Sequence, residues 1–147
     1  MVKVFVVQTH EKDRNAVAAF LNAAGHDVHS YNTDPMSLMW VAREMMFVNK
    51  PSVLVTSQRD ICDHPYISNM LHTVAFHLPK PTLTIVYTRA AAHQEHIQGV
   101  VHYLASLSST PNHQLKIVPK DTDDTRPTEL GLILYHIDDF DRSLTVK

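Results

Sequence analysis

The stretch KPSVLVTSQRD, residues 50–60, decides the fold that this chain is expected to adopt. Its centre, Val53–Val55, is a short aliphatic run of the kind that forms a strand buried on both faces. The run ends on Thr56 and Ser57, and the first carboxylate follows only at Asp60. Strands of this type belong to parallel sheets covered by helices, which carry their sites where the strands end. We therefore predict an α/β protein with a candidate site beside Ser57.

Four further segments have strand composition, and apolar residues recur at helical spacing between and after them. The predicted strands span residues 3–8, 27–31, 51–57, 83–87 and 115–118. The predicted helices span residues 14–24, 35–47, 65–78, 91–107 and 127–144. Pro35 suits the first turn of its helix, and Gly25 suits the end of the helix before it.

Strict alternation of strands and helices predicts a parallel sheet with helices on both faces. Right-handed crossovers favour the strand order 2-1-3-4-5, so the expected fold is α/β, a three-layer αβα sandwich of the flavodoxin-like class. The 147 residues contain no long linker, repeat or low-complexity tract, which predicts a single domain over residues 1–147. Any site then lies at the carboxyl ends of strands one, three and four.

Composition excludes several classes of function. Charged residues make up 19% of the chain, the formal net charge is −2, and no basic stripe indicates nucleic-acid binding. No apolar run reaches the length of a membrane span, so we expect no membrane partner. The single cysteine, Cys62, excludes an internal disulfide and favours a reducing compartment, so we expect a cytoplasmic protein.

Motifs for metals and cofactors are missing as well. Of the 11 histidines, His93 and His96 lie three residues apart, but without an HExxH pattern we expect them at the surface. Three glycines cannot supply a P-loop or a dinucleotide fingerprint. The first loop, Thr9–Glu11, is also a poor match to the Ser/Thr-rich loop expected of a flavin mononucleotide site. We therefore predict no metal and no cofactor.

Several segments resemble the receiver domain of two-component response regulators. They are FVVQTHEKDRNAVAAFLNAAGHDV (5–28), PSVLVTS (51–57), PTLTIVYTRA (81–90) and KIVPKD (116–121). The resemblance covers nearly the whole chain. It places Gln8 and Thr9 at the acidic pair, Ser57 at the phosphoacceptor aspartate, Thr88 at the switch hydroxyl and Lys120 near the invariant lysine, although here the proline precedes the lysine.

The differences from that family concern its chemistry. In receiver domains the acidic pair holds Mg²⁺, and Mg²⁺ prefers carboxylate oxygens. An amide at Gln8 and hydroxyls at Thr9 and Ser57 do not replace three carboxylates. A serine hydroxyl also cannot replace the phosphoacceptor without a metal and a base beside it. We therefore expect an atypical pseudo-receiver in which Ser57 accepts no phosphoryl group.

Six polar residues form the candidate ligand-binding or vestigial phosphorylation site. They are Gln8, Thr9, Ser57, Thr88, Arg89 and Lys120. Together they could line a pocket for a small anion, with the two cations supplying charge. The alternative is that the amide and hydroxyls only satisfy backbone groups at strand ends. A Ser-His-Asp triad can be drawn from Ser57, Asp60 and any of several histidines. With 11 histidines in the chain such a triad can be drawn almost anywhere, so it carries little weight, and we predict no catalytic residue.

The expected function is that of a receiver-like signalling or regulatory protein, not an enzyme, which acts by protein–protein interaction independently of aspartyl phosphorylation. We expect a homodimer and an unidentified protein partner. By the resemblance, the association face is helix four, strand five and helix five. On the helix over 35–47, Trp40, Met45, Met46 and Phe47 cannot all point inward, so some of them suit a partner surface. The helix over 127–144 raises the same possibility with Leu132, Tyr135 and Phe140. The alternative is a small α/β enzyme or ligand-binding protein that uses the strand-end crevice.

Overall fold

The computed structural model describes residues 2–47, 51–57, 60, 67, 81–88, 113–119 and 127–145. The strands are β1 (Lys3–Val7), β2 (Asp27–Tyr31), β3 (Ser52–Ser57), β4 (Thr82–Thr88) and β5 (His113–Pro119). The helices with described bounds are α1 (Glu11–Ala23), α2 (Pro35–Phe47) and α3 (Pro127–Thr145). The predicted helix over 91–107 lies outside the described residues, as does that over 65–78 apart from Ile67.

The five strands form one parallel sheet in the order β2-β1-β3-β4-β5, which confirms the predicted fold class and strand order. In the register, Val4 lies beside Val53, and Val53 lies beside Leu83. The carboxyl ends of β1, β3 and β4 therefore meet at one edge, where the site was predicted. A single domain over residues 1–147 stays a prediction.

Side chains alternate across the sheet, so the sheet has a core on each face. Phe5 and Val7 of β1 point to one face, and Val4 and Val6 point to the other. The first face is covered by α2 through Leu38, Val41 and Met45. The second is covered by α1 and α3 through Val17, Leu21, Ile133, Ile137 and Phe140. This arrangement is the predicted three-layer sandwich.

Local signals determine where α1 begins and ends. The helix begins at Glu11, within residues 9–13, whose cap residues and acids favour a helix start, and Glu11 and Asp13 place negative charge in its first turn. The helix ends at Ala23 with Ala24 as its C-cap, and the next residue, Gly25, has a φ of +95°, in the left-handed region that favours glycine. The N–H of Gly25 donates to the Asn22 carbonyl and that of His26 to the Leu21 carbonyl, which is a Schellman motif.

Two sequence-based expectations were wrong in detail. Asp60 is already helical, so helical backbone follows β3 earlier than the predicted start at residue 65. Phe140, expected on a partner surface, is only 2% exposed and packs in the core beside Ile137.

Among the helices that the structure describes, none has the length and apolar character needed to cross a bilayer.

Candidate functional site

The ends of β1 and β3 are joined by the carboxylate of Asp60. Ser57 is the last residue of β3, and Thr9 lies two residues beyond β1. Asp60 lies in helical backbone three residues after Ser57 and is 6% exposed. Because β1 and β3 are neighbouring parallel strands, Thr9 and Ser57 reach the same carboxylate.

Three donors bind the Asp60 carboxylate. The Ser57 hydroxyl donates to Oδ2 at 2.6 Å, and the Thr9 hydroxyl donates to Oδ1 at 2.6 Å. The Thr9 N–H points between the two oxygens, at 3.3 and 3.4 Å. Hydrogen bonds of this kind satisfy a buried carboxylate without a metal ion.

A fourth residue extends the network to the end of β2. Thr33, 4% exposed, precedes α2, and its hydroxyl is hydrogen-bonded to the Thr9 hydroxyl. The Thr9 hydroxyl has a single proton and donates it to Asp60. Thr33 is therefore the donor to Thr9. We call Thr9, Thr33, Ser57 and Asp60 the Asp60 cluster.

The Ser57 hydroxyl is engaged both as donor and as acceptor. It donates to the Asp60 carboxylate and accepts the Asp60 backbone N–H at 3.1 Å. A serine hydroxyl that binds the backbone N–H of a residue shortly after it forms a local side-chain-to-backbone motif. The late carboxylate of the SQRD stretch therefore belongs to an S-x-x-D hydrogen-bond motif, and this spacing is the sequence signal that could have placed Asp60 in the site.

Gln8 is buried beside this cluster, at 2% exposure. Its backbone N–H donates to the Tyr31 carbonyl at 3.2 Å, and its carbonyl accepts from Arg14 Nη1 at 2.9 Å. Its side-chain Nε2 has no hydrogen-bond partner in the described structure. The amide is thus a buried donor with unused capacity at the strand-end edge.

The structure brings together only some of the six predicted site residues. Thr9 and Ser57 meet through Asp60, and Gln8 precedes Thr9 in the chain. Thr88 ends β4 at the same edge of the sheet, whereas Arg89 and Lys120 lie outside the described residues. The described ranges also contain no group of three or more His, Cys, Asp or Glu side chains that could hold a metal ion.

The outward face of α2 carries a patch of large apolar side chains that are exposed to water. Leu38, Val41 and Met45 fill the core, while the opposite side of the helix carries large exposed side chains. They are Met36 (66% exposed), Met39 (63%), Trp40 (51%), Met46 (51%) and Phe47 (76%). Arg43 lies among them, and we call these six residues the α2 stripe.

Arg43 contacts two aromatic rings of the α2 stripe. Its guanidinium carbon lies 5.7 Å from the Trp40 ring centroid and 5.9 Å from that of Phe47. Beside it, Lys3 Nζ lies 2.8 Å from Glu44 Oε2. Lys3, Glu44 and the stripe residues Trp40, Arg43 and Phe47 line an open groove of about 510 Å³.

Comparison with known proteins supports the fold alone. Neither a protein-family model nor a curated protein matches the chain. A solved structure of the flavodoxin from Streptococcus pneumonia TIGR4 is similar, with a TM-score of 0.63 over 97% of this chain and 99% of that one. The two sequences are 8% identical. The match confirms the flavodoxin-like architecture.

Proposed function

We propose that this chain is a receiver-like signalling or regulatory protein that acts through protein–protein contacts, independently of aspartyl phosphorylation and without enzymatic activity. The flavodoxin-like strand order is compatible with a receiver-like domain. The observation that carries the proposal is the position of Asp60, whose carboxylate is bound at the end of β3 by the chain's own donors.

Neither Ser57 nor Asp60 is placed as a receiver phosphoacceptor. Ser57 stands where the resemblance puts that residue and Asp60 accepts its proton as a base would, but the described residues contain no group of three or more His, Cys, Asp or Glu side chains to hold Mg²⁺ beside it. Asp60 is a carboxylate but is 6% exposed, and both of its oxygens accept hydrogen bonds. Modifying either residue would break the bonds that join β1 to β3. A site bound in this way does not provide a phosphorylation-driven switch.

The α2 stripe supports contacts with other proteins as the means of passing a signal. An apolar patch of large side chains on a helix face is characteristic of protein interaction sites. The proposal includes a homodimer, a further protein partner and, on the evidence of a single cysteine, a cytoplasmic location. The association face expected from the resemblance includes the predicted fourth helix, residues 91–107, which lies outside the described residues.

Incubation with Mg²⁺ and acetyl phosphate, followed by intact-mass spectrometry, tests the proposal. We expect the mass of the chain to stay unchanged. A receiver domain with its full set of carboxylates, treated in parallel, shows that the reagent is active. A stoichiometric, base-labile gain of one phosphate would contradict the proposal, and the same reaction on Asp60→Asn would tell whether Asp60 carries it.

Gln8 favours a second candidate, a protein that binds a small ligand at the strand-end edge. A buried amide with an unpaired Nε2 is satisfied by a ligand oxygen or by water. In this case inorganic phosphate or acetate raises the melting temperature of the wild type but not that of Gln8→Met, which removes the amide and keeps the side-chain length. Equal responses of the two proteins would exclude Gln8 as a ligand-binding residue.

A further inference from the structure

The α2 stripe repeats every seven residues along the helix. Met36, Met39 and Trp40 of the first heptad are followed by Arg43, Met46 and Phe47 at the same positions of the second. This spacing places all six on one side of an α-helix. Because Leu38, Val41 and Met45 already fill the core, the repeat is a second apolar face that the fold of one chain leaves in water.

The exposed surface of the stripe approaches what a dimer interface requires. At roughly 200 Å² for each large side chain, the exposed fractions leave about 600 Å² in one band. The largest apolar patch on a typical monomer is about 300–600 Å². A stable interface buries about 800 Å² per partner, so the stripe and its polar rim, Lys3 and Glu44, approach that size.

The spacing within the stripe is the same in both chain directions. Met36, Trp40, Arg43 and Phe47 are separated by four, three and four residues. An antiparallel copy of α2 therefore presents its side chains at the same spacings, with Met36 opposite the partner's Phe47 and Trp40 opposite the partner's Arg43. A two-fold axis passing between residues 41 and 42 produces this pairing, and a two-fold interface needs such self-complementarity.

Charge selects the antiparallel over the parallel arrangement. A parallel pair in register would bring Arg43 against the partner's Arg43, and apposed like charges are costly. The antiparallel pair instead places each guanidinium over an aromatic ring, the kind of contact that Arg43 already makes with Trp40.

We infer that the α2 stripe is a homodimer interface in which α2 packs antiparallel to α2 of a second copy. The inference rests on the proposed function only in assuming that the protein acts through protein contacts. It replaces the association face implied by the resemblance with a face argued from exposed area, spacing and charge. Its failure would leave the phosphorylation result unchanged, so the two proposals can fail separately.

Sedimentation velocity over the micromolar range tests the interface. We expect the wild type to sediment at twice 16.7 kDa, and Trp40→Glu and Phe47→Glu at the single-chain mass. Tyr135→Glu is the matched control, because Tyr135 is 58% exposed on α3, on the opposite face of the sheet, and should leave the dimer intact. Far-UV circular dichroism verifies that each variant keeps its secondary structure.

Cross-linking tests the direction of packing. With the single cysteine replaced (Cys62→Ser), chains carrying Met36→Cys are mixed with chains carrying Phe47→Cys and treated with a short bismaleimide. The antiparallel arrangement gives cross-linked dimers in the mixture. Each variant alone should give few, because in the antiparallel pair like cysteines are offset by 11 residues, about 16.5 Å along the helix axis.

Three outcomes would overturn the inference. A wild type that remains monomeric throughout the micromolar range would show that the stripe does not bind a second copy and faces another protein or solvent. Dimers that persist in Trp40→Glu and Phe47→Glu would place the interface elsewhere. Efficient cross-linking of Met36→Cys to itself would show that the two helices run parallel.

Discussion

At the scale of single residues, Asp60 acts as a bridge between two strands. Its carboxylate is almost fully buried, and a buried charge is tolerated only where hydrogen bonds replace the lost water. Ser57 and Thr9 supply those bonds from the ends of β3 and β1. Thr33 adds the end of β2 through Thr9. The site therefore stabilises the sheet edge whether or not a ligand binds there.

Replacing Asp60 with asparagine should lower the free energy of unfolding by about 1–3 kcal/mol, because the amide NH₂ leaves one buried donor without an acceptor. Urea denaturation followed by circular dichroism measures the change. Asp139→Asn is the control, since that carboxylate is 57% exposed and its contact with Arg142, at 3.7 Å, lies at the surface. Equal effects of the two substitutions would show that the Asp60 bonds contribute nothing to stability.

At the scale of elements, the start of α2 is held by Asp34. Its Oδ1 accepts the Ser37 N–H at 2.9 Å, and its Oδ2 accepts the Ser37 hydroxyl at 2.6 Å. These hydrogen bonds, that of the hydroxyl first, lower the pKa of Asp34 from its ordinary value of 3.8. The cap fixes where α2 begins and hence where both the stripe and Thr33 lie.

The Asp34 cap should stabilise the protein near neutral pH and lose its effect in acid. Since the pKa is lowered by folding, the contribution is complete above pH 3.8 and is lost as the pH falls through the folded value. Asp34→Ala should therefore lower the melting temperature at pH 7 and converge with the wild type in strong acid. Ser30→Ala, at an exposed position of β2, is the control and should match the wild type throughout.

The packing of α3 over β5 perturbs His136. Burial first, and then the nearby Lys116 charge, lower the pKa of His136 from 6.5, and Asp139 partly opposes them. The unfolded chain then binds a proton more readily, so this residue's contribution to stability is present above pH 6.5 and is lost as the pH falls through the folded pKa. Acidification should therefore weaken this region.

Replacing Lys116 with glutamine should raise the pKa of His136, because a like charge that opposes protonation is removed. Proton NMR of the imidazole resonances over the pH range 5–8 provides the measurement. Arg43→Gln removes a positive charge from the opposite face of the sheet and should leave His136 unchanged. The same titration curve in wild type and Lys116→Gln would show that burial alone lowers the pKa.

At the scale of the whole molecule, the two sheet faces have different outer surfaces. The α3 side exposes Tyr135 and, to 37%, Leu132, whereas the α2 side exposes a continuous apolar band. The chain contains a single tryptophan, Trp40, and it lies in that band. Its fluorescence therefore reports directly on whether the α2 face is covered.

The emission maximum of Trp40 should shift to the blue, and its quenching by acrylamide should fall, as the protein concentration rises from nanomolar to micromolar. The physical reason is that a ring now 51% exposed to water becomes enclosed by a second copy. Phe47→Glu should abolish the concentration dependence, and Tyr135→Glu should preserve it. Emission that is independent of concentration in the wild type would contradict dimerisation through this face.

The order of elements and the strand order could be predicted from the sequence, because they depend on local signals and on one rule of handedness. Strand composition predicts the bounds of β2, Asp27–Tyr31. Glycine chemistry predicts the end of α1 just before Gly25, and proline chemistry predicts the start of α2 at Pro35. With short connections and right-handed crossovers, five such strands favour the observed order.

Only the tertiary structure decided which groups meet and which faces are covered. Thr9 and Asp60 are 51 residues apart in the chain, and their contact exists because β1 and β3 are neighbours in the sheet. Likewise, helical periodicity shows that α2 has two apolar faces, but it does not show that Met45 enters the core while Trp40 remains outside. Periodicity defines faces relative to a helix axis, and only packing against the sheet selects the face to be buried.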